Sequence, residues 1–448
     1  MGGNPRRPGS PREVWLGLAF VLIVFVGLAA TIAVKTPAWE SNDEPDHVHN
    51  IETLVAGHWY GMHLGQVHVV EAFGHKYNVG LSSSSGEEAH QPPLYYLVLA
   101  GWQRLAGLPA RTPNPGGHHL NFSSGIYAHH SAADLQFLLW LRIPNVVLGG
   151  LTIWFTFLAA RIITSDPWTP LVAAAFVGFL PRFVFLSAFV TNDNLVNLLG
   201  AVLTFLAVRC AVSPTRWRMA LVGAVVGLLI TTKLSAVPLA VIILVLAFTR
   251  GEWLRRAELI GIGVVSCVVV SSWYLIQNTV RYGDPLALGA SQRYLSKIGG
   301  TGTPYDVLYR VTDPIKYIVV DVPSRFLHVF WYGSGWGEFF RWPWPVGLLL
   351  WLVLAFMLLG LIGQHEPPRI LLVLGALAVA GFLSVWIVAF QTASYDPRLA
   401  LGGVPALACL AALGLERWKL ALRFLFPFLL LGGTIFAIQT NVLEVHWS

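Results

Sequence analysis

Acidic and histidine side chains follow directly after the first long apolar block of the chain. There, Ser41 or Asn42 can cap a helix in which Pro45 suits the first turn. Residues four apart share a helical face, so Asp43 and His47 are expected side by side at the start of this helix. A carboxylate in this position could accept a proton from an attacking hydroxyl, or ligate a divalent cation together with His47. A solvated carboxylate that only caps the helix is the third interpretation.

Further polar groups are expected close to Asp43, because they also lie at the ends of apolar blocks. Asp193 lies in a short turn between two apolar blocks, although short turns favour Asp for their own backbone reasons. His90 precedes two prolines and is a candidate metal ligand or phosphate contact, or an inert loop histidine. Arg398 and Lys233 lie at the ends of other apolar blocks, where each can bind a phosphate or extend towards lipid headgroups.

The amino-acid composition indicates which class of protein carries these residues. Of 448 residues, 55% are hydrophobic and 12% are charged, whereas a soluble domain has roughly 25% charged residues. The apolar residues form blocks of roughly 17–25, the length that crosses a bilayer as a helix. The sequence therefore predicts an all-α polytopic membrane protein. Its net charge of +6 comes from scattered basic residues, so no nucleic-acid partner is expected.

About eleven transmembrane helices are predicted from these blocks. The predicted spans are 14–34, 137–160, 170–189, 194–211, 218–232, 235–249, 257–280, 344–363, 369–390, 399–415 and 420–440.

Basic residues cluster in every second short loop, which predicts the orientation of the chain by the positive-inside rule. Residues 1–13 are then cytoplasmic, 14–440 form a single transmembrane domain, and 441–448 are an outer tail. Two long outer loops, 35–136 and 281–343, are richer in polar residues than the spans. The polar chemistry is therefore expected on the extracytoplasmic side.

The block 92–108 is the ambiguous one, because it has 17 residues and contains Gln103 and Arg104. If it crossed the membrane, every later loop would change sides and the arginine-rich loops would face outwards. We therefore predict an amphipathic helix at the outer interface, with Tyr95, Tyr96 and Trp102 at headgroup depth.

In motif order, the chain resembles the GT-C fold glycosyltransferases that use polyprenyl-phosphate sugars, among them the protein O-mannosyltransferases and the aminoarabinose transferase of lipid A. The residue pattern is most similar to that of a large bacterial branch of this family. The motifs that carry the resemblance are Asp43-Glu44, His90-Gln91-Pro92-Pro93-Leu94-Tyr95-Tyr96, Arg142, Asp193 and Asp396-Pro397-Arg398-Leu399.

The resemblance implies a GT-C-like fold with interfacial helices in the first outer loop, and a membrane enzyme that transfers a hexose or pentose with inversion. The donor would be a polyprenyl-phosphate-linked sugar, and the acceptor a hydroxyl of a glycan, lipid or protein outside the plasma (inner) membrane. Asp43, Glu44 and Asp193 would be catalytic, with Asp43 as general base. Donor phosphate would be bound by a second set of residues, namely Arg398, Lys233, Arg142 and Gln91.

One departure from the family concerns the segment before the interfacial helix. Some relatives have Glu-Lys-Pro where this chain has His90-Gln91-Pro92, so a carboxylate and a phosphate-binding lysine are missing. Arg398, Lys233 or a divalent metal ion held by Asp43, His47 or His90 would have to substitute.

Two other functions compete with an enzyme on the sequence alone. A transporter or flippase of a lipid-linked saccharide would meet the headgroup with the same outer charges, but it needs charged residues along its path, and the predicted spans hold few. The other alternative is a non-catalytic scaffold protein.

Overall fold

A computed structural model describes residues 11–39, 41, 43–62, 67–72, 75–80, 87–110, 132–249, 252–297, 312–331, 344–362, 368–392 and 396–443. The predicted terminus 1–13 and tail 441–448 lie largely outside the described residues. The same holds for much of the outer loops 35–136 and 281–343.

The first half of the chain is helical apart from one β-hairpin. Its elements are α1 (Pro11–Lys35), α2 (Glu44–Val55), β1 (Val67–Ala72), β2 (His75–Gly80), a 3₁₀ turn (Glu87–His90), α3 (Leu94–Leu105), α4 (Ala132–Ile163), α5 (Thr169–Gly178), α6 (Pro181–Ser187), α7 (Asp193–Val212) and α8 (Arg216–Thr232). The two strands are antiparallel, with Val67 paired to Gly80. The sequence analysis did not predict this hairpin.

The second half continues as helices, some with 3₁₀ or π turns at their ends. Its elements are a 3₁₀ segment (Leu234–Ala240) leading into α9 (Val241–Phe248), α10 (Trp253–Tyr282), α11 (Leu288–Lys297), a π turn (Tyr317–Asp321) leading into α12 (Val322–Val329), α13 (Trp344–Leu359), α14 (Pro368–Thr392), a 3₁₀ segment (Pro397–Gly403) leading into α15 (Val404–Gly414), and α16 (Leu420–Ile438) followed by a π turn (Gln439–Leu443).

The predicted class, a multi-pass helical membrane protein, is confirmed, but the count of eleven spans is not. Among the described residues, seven helices are long and apolar enough to cross a membrane, or eight if the bent pair α5–α6 is one span. The predicted spans 218–232, 235–249 and 344–363 are all helical but fall short. The 17 residues of α8, for example, rise about 26 Å at 1.5 Å per residue, less than the ~30 Å hydrocarbon core.

The predicted interfacial helix 92–108 is seen as α3, which has 12 residues. At 1.5 Å per residue it is about 18 Å long, too short to cross a bilayer. One face of α3 buries Tyr95, Tyr96 and Leu99, and the helix packs against α2. Helices α2 and α3 therefore form one layer over the end of the bundle.

Close glycine contacts fix the spacing of the helices near the polar end. A Cβ atom at Gly200 in α7 would lie 2.2 Å from the carbonyl oxygen of Gly402, so the two backbones touch. Small residues at such crossings are typical of helix packing in membranes. Because α7 begins at Asp193 and the 3₁₀ segment begins at Pro397, this contact holds two predicted site segments together.

The opposite end of the bundle has its own polar contacts. Asp166, after α4, accepts a hydrogen bond from Arg423 Nη1 at 2.7 Å, and Thr164 donates to Glu416 at 2.8 Å. These contacts tie the α4–α5 connection to the α15–α16 connection. The predicted site residues lie at the other end, at the end of α1, the start of α7, the end of α8 and the start of the 3₁₀ segment 397–403.

Candidate active site

Asp43 and Arg398 form the central contact of the polar end. Arg398 Nη2 lies 2.5 Å from Asp43 Oδ2, and Arg398 Nε lies 3.6 Å from Asp193 Oδ2. Lys233 Nζ lies 2.7 Å from Asp193 Oδ1. The structure therefore brings together four of the predicted site residues, from segments up to 355 positions apart.

All four of these side chains are largely removed from solvent. Arg398 is the most accessible, with 14% of its side chain exposed, whereas Asp193 is 3% exposed and Lys233 is 7% exposed. Ion pairs in such surroundings are screened less by salt than surface pairs are. A charged ligand group that enters this end of the bundle would therefore interact strongly with the same side chains.

The backbone of Asp43 is unusual for a residue other than glycine. It precedes α2 with φ 58° and ψ 0°, in the left-handed region, and its side chain makes no capping hydrogen bond. Such a conformation is rare and often found at functional sites. Asn42 lies outside the described residues. The turn directs the Asp43 carboxylate towards Arg398, and helix α2 starts one or two residues later than expected if Ser41 or Asn42 capped it.

Arg182 is a member of the cluster that sequence reasoning missed. Its Nη1 lies 2.6 Å from Asp396 Oδ1, and its Nη2 donates to the carbonyl oxygen of Val329 at 3.2 Å. Asp396 also faces Arg398 Nε at 3.3 Å. The predicted span 170–189 contains Arg182, and an arginine inside an apolar block is itself a signal of a paired or functional residue.

The predicted span 170–189 is bent in the structure, next to Arg182. Helices α5 and α6 meet at 62° across Phe179 and Leu180, and Pro181 begins α6. A proline at the first helical position is tolerated because its missing N–H has no partner there. The bend turns Arg182 towards Asp396 instead of leaving it on the side of a straight span.

Glu44 and Arg142 bind each other rather than joining the Asp43–Arg398 pair. Arg142 donates from Nε and Nη2 to the two Glu44 carboxylate oxygens, at 2.9 and 2.6 Å. Its Nη1 donates to the carbonyl oxygens of Ala33 and Thr36, at 2.5 and 3.2 Å, and Glu44 Oε1 also accepts from Val190 N. Both side chains are completely buried. The pair clamps α2 onto the end of α1 and onto α4.

Gln91 lies beside the site without touching the cations. Its Oε1 accepts a hydrogen bond from Asn192 Nδ2 at 3.3 Å, and its Nε2 lies 3.2 Å from the ring Nε2 of His90. Gln91 therefore joins the entry of α3 to the turn before Asp193, and its amide nitrogen contacts the His90 ring.

Asp43, His47 and Glu88 are the three side chains whose arrangement suits a metal ion. One ligand atom of each lies within 4.8 Å of the others, and all three residues are buried. Glu88 thus takes the place that the sequence analysis gave to His90. Glu88 Oε2 is buried and has no hydrogen-bond partner in the described part of the chain. Two carboxylates and an imidazole are suitable ligands for a divalent cation, although Arg398 competes for Asp43.

His47 is held by the aromatic layer of α3. Its Nδ1 shares a hydrogen bond of 2.8 Å with the Tyr96 hydroxyl, and the two rings stack at 5.7 Å. Burial lowers the pKa of His47 below its usual 6.5, although Glu88 and Asp43 oppose this shift. Burial also raises the pKa of the Tyr96 hydroxyl well above its usual range. A neutral imidazole beside Asp43 therefore follows from the packing.

One protein-family model matches part of the chain. Residues 138–276 match the family model described as dolichyl-phosphate-mannose-protein mannosyltransferase. The matched segment includes Asp193 and Lys233 and ends before Arg398. No curated protein matches the chain.

Two solved membrane glycosyltransferases match the structure in part, at low sequence identity. The protein O-mannosyltransferase Pmt1–Pmt2 complex of S. cerevisiae, bound to its sugar donor, is 14% identical, with a TM-score of 0.41 over 60% of this chain and 34% of that chain. The Archaeoglobus fulgidus oligosaccharyltransferase tethered to an acceptor peptide is 13% identical, with a TM-score of 0.49 over 94% and 54%. The chain thus spans a third to about half of the length of these proteins.

The predicted resemblance to GT-C glycosyltransferases is confirmed by the family match. The chain is therefore related to membrane glycosyltransferases of the GT-C type.

Proposed function

We propose that this protein is an inverting glycosyltransferase that moves a sugar from a polyprenyl-phosphate carrier to an acceptor hydroxyl. The observation that supports the proposal most directly is the buried contact of 2.5 Å between Asp43 and Arg398, with Lys233 and Asp193 beside it. This arrangement offers a base and two cations at the mouth of a membrane-spanning bundle. A lipid-linked donor is confined to the membrane and can reach such a site.

The charge balance of the cluster suggests how the base becomes active. Its ion-paired groups are three carboxylates and three cations and are neutral in sum: Asp43, Asp193 and Asp396 with Arg398, Lys233 and Arg182. A donor phosphate must therefore compete with a carboxylate for Arg398. Arginine binds phosphate through two parallel N–H bonds. When Arg398 turns to the phosphate, Asp43 loses its counter-ion and becomes a stronger base.

The reaction then runs as an in-line displacement. Asp43 takes the proton of the acceptor hydroxyl while the oxygen of that hydroxyl bonds to the anomeric carbon. The bond between that carbon and the phosphate oxygen breaks, and its electron pair leaves with the polyprenyl phosphate. The leaving group needs no proton, because Arg398 and Lys233 stabilise the phosphate anion. One displacement inverts the anomeric configuration.

Asp193 and Glu44 receive different roles from Asp43 in this scheme. The two oxygens of Asp193 face Lys233 and Arg398, so Asp193 positions both cations. Glu44 and Arg142 hold α2 in place and so fix the turn at Asp43. A divalent cation held by Asp43, His47 and Glu88 would add positive charge for the phosphate, and comparison of turnover with and without a chelator tests for it.

The orientation of the site is also part of the proposal. Basic residues lie in the last turn of α4 and follow α7 and α15, at the end of the bundle opposite to Asp43, which by the positive-inside rule makes that end cytoplasmic. The N-terminus is then cytoplasmic, and the cluster faces the outside of the plasma (inner) membrane. Nucleotide sugars are not found there, which favours a lipid-phosphate donor and an acceptor glycan, lipid or protein outside.

The test is the release of free polyprenyl phosphate from a radiolabelled polyprenyl-phosphate sugar by the purified protein in lipid. A crude envelope extract supplies the acceptor. We expect turnover by the wild type, none by Asp43→Asn, and wild-type turnover by Asp313→Asn, because Asp313 is an exposed aspartate outside the cluster.

Two results would contradict the proposal. Turnover that survives Asp43→Asn would remove Asp43 from the chemistry. Absence of turnover in the wild type, with the labelled lipid bound, would favour a flippase or a binding protein instead.

A further inference from the structure

Asp396 is shared by two arginines at the edge of the candidate active site. Its Oδ1 lies 2.6 Å from Arg182 Nη1, and its Oδ2 lies 3.3 Å from Arg398 Nε. Asp396 also accepts a hydrogen bond from the backbone N–H of Arg398 at 2.9 Å, so it caps the 3₁₀ segment that follows. With 24% of its side chain exposed, Asp396 is the most accessible carboxylate of the cluster. A change in the charge around Asp396 therefore acts directly on Arg398.

Arg182 is placed to neutralise Asp396. Its side chain is 4% exposed, and its Nη2 donates to the carbonyl oxygen of Val329 at 3.2 Å while Nη1 bonds Asp396. The guanidinium thus joins α6, the end of α12 and the start of the 3₁₀ segment. A buried charge is costly unless it is paired and hydrogen-bonded. Removal of Arg182 would therefore leave an uncompensated negative charge on Asp396.

That negative charge would lie beside the guanidinium to which the donor phosphate is expected to bind. The cluster now balances three carboxylates with three cations. Without Arg182, two cations would remain, and Arg398 would be the remaining cation at Asp396 among the described residues. An incoming phosphate would then meet a site of net negative charge, where burial limits screening by solvent.

We propose that Arg182 is a positioning residue for the donor, which neutralises Asp396 and so leaves Arg398 available for the polyprenyl phosphate. Arg182 acts through Asp396 and does not itself bind the phosphate. Asp396 holds the Nε side of Arg398 while Nη2 turns from Asp43 to the phosphate. The inference rests on the proposed function and deepens it, because it explains how a phosphate can enter a site that already contains three carboxylates.

Binding of tritium-labelled polyprenyl phosphate to the full-length protein in nanodiscs tests the inference without a sugar or turnover. We expect Arg182→Gln to raise the dissociation constant at least about tenfold, because Asp396 then repels the phosphate. Adding Asp396→Asn should return the constant to within about threefold of the wild type, since the charges balance again and asparagine can still cap the 3₁₀ segment. Arg182→Lys keeps the positive charge and should also stay within about threefold.

Arg423→Gln is the matched control for the loss of a buried ion pair. Arg423 Nη1 lies 2.7 Å from Asp166 Oδ2 at the opposite end of the bundle. The two side chains are 4% and 20% exposed, against 4% and 24% for Arg182 and Asp396. Both glutamine variants should lower the stability, because each leaves a carboxylate without its cation. Arg423→Gln should nevertheless bind polyprenyl phosphate as the wild type does.

Turnover kinetics separate a positioning role from structural damage. Arg182→Gln should raise the donor KM about tenfold or more and keep kcat within about threefold of the wild type, as expected when only donor binding is weakened. A preparation that is partly misfolded contains fewer active molecules, so its apparent kcat falls while its KM is unchanged.

Three results would overturn the inference. Wild-type affinity in Arg182→Gln would remove Arg182 from the donor site. Weak binding that persists in Arg182→Lys, or after Asp396→Asn is added to Arg182→Gln, would mean that the guanidinium itself is needed. An equal loss of affinity in Arg423→Gln would assign the effect to general stability. Failure of the catalytic proposal is separate, because it appears as turnover by Asp43→Asn while the order of these affinities stays the same.

Discussion

Replacing Glu44 by Gln tests whether Glu44 and Arg142 are a structural clamp or a part of the chemistry. In the structure, both Glu44 oxygens accept hydrogen bonds from Arg142, and Oε1 also accepts from Val190 N. A glutamine can keep one acceptor, but its NH₂ group would then face Arg142 Nη2. The variant therefore removes the negative charge. It also places two hydrogen-bond donors, the glutamine NH₂ group and Arg142 Nη2, against each other at a site with no access to water.

The expected loss of stability follows from the burial of this pair. Removing one partner of a buried ion pair costs about 3–5 kcal/mol, because the other charge stays buried without compensation. The loss of stability in Glu44→Gln should be near the lower end of this range, since the carbonyl oxygens of Ala33 and Thr36 still accept hydrogen bonds from Arg142. Adding Arg142→Met removes the uncompensated cation, so the double variant should recover at least about 2 kcal/mol.

The assay is reversible unfolding in mixed micelles, followed by circular dichroism, for both single variants and the double variant. Glu258→Gln is the control, because its pairs with Arg216 and Arg255 lie near the surface and should contribute little to stability. The donor KM is measured on the same preparations, and that of the double variant should stay within threefold of the wild type.

Two outcomes would refute this reasoning. One is a double variant that is no more stable than Glu44→Gln, which would mean that the pair does not act as a unit. The other is a stable double variant with a donor KM raised tenfold or more, which would restore Arg142 to the phosphate-binding role implied by the family resemblance.

Two further predictions concern pH and helix packing. Because burial lowers the pKa of His47 in the folded state, the unfolded chain takes up the proton first, and stability should fall as the pH drops below about 6.5. In unfolding curves measured over a series of pH values, His47→Gln should make the free energy of unfolding less dependent on pH. An unchanged slope would mean that other groups cause the pH dependence. Gly200→Ala places a methyl group 2.2 Å from the Gly402 carbonyl oxygen and should lower both the melting temperature and turnover. Gly375→Ala, with open space around the site, should leave both unchanged.

The sequence was sufficient for the class of protein and for most helices. Long apolar blocks must become helices in a membrane, because backbone polar groups have no water there to bond. Every predicted span is helical in the described residues. The number of spans could not be counted in the same way, because 218–232, 235–249 and 344–363 have the composition of spans, but their helices are too short.

Several site residues were also within reach of sequence reasoning. Asp43, Asp193, Lys233 and Arg398 each lie at the end of an apolar block, and alternation of the blocks puts all four on one side. What the sequence could not give was their pairing. The bonds of Arg398 to Asp43 and of Lys233 to Asp193 depend on which helices are neighbours.

The remaining assignments were decided by tertiary structure alone. Residue type makes Glu44 and Arg142 equal candidates to Asp43 and Arg398, but burial pairs the first two with each other and leaves the second pair at the mouth of the bundle. Glu88 rather than His90 joins Asp43 and His47, and a bend before Pro181 brings Arg182 to Asp396. A one-dimensional pattern specifies which face of a helix is polar, whereas the partner of a buried charge is set by contacts between segments hundreds of residues apart.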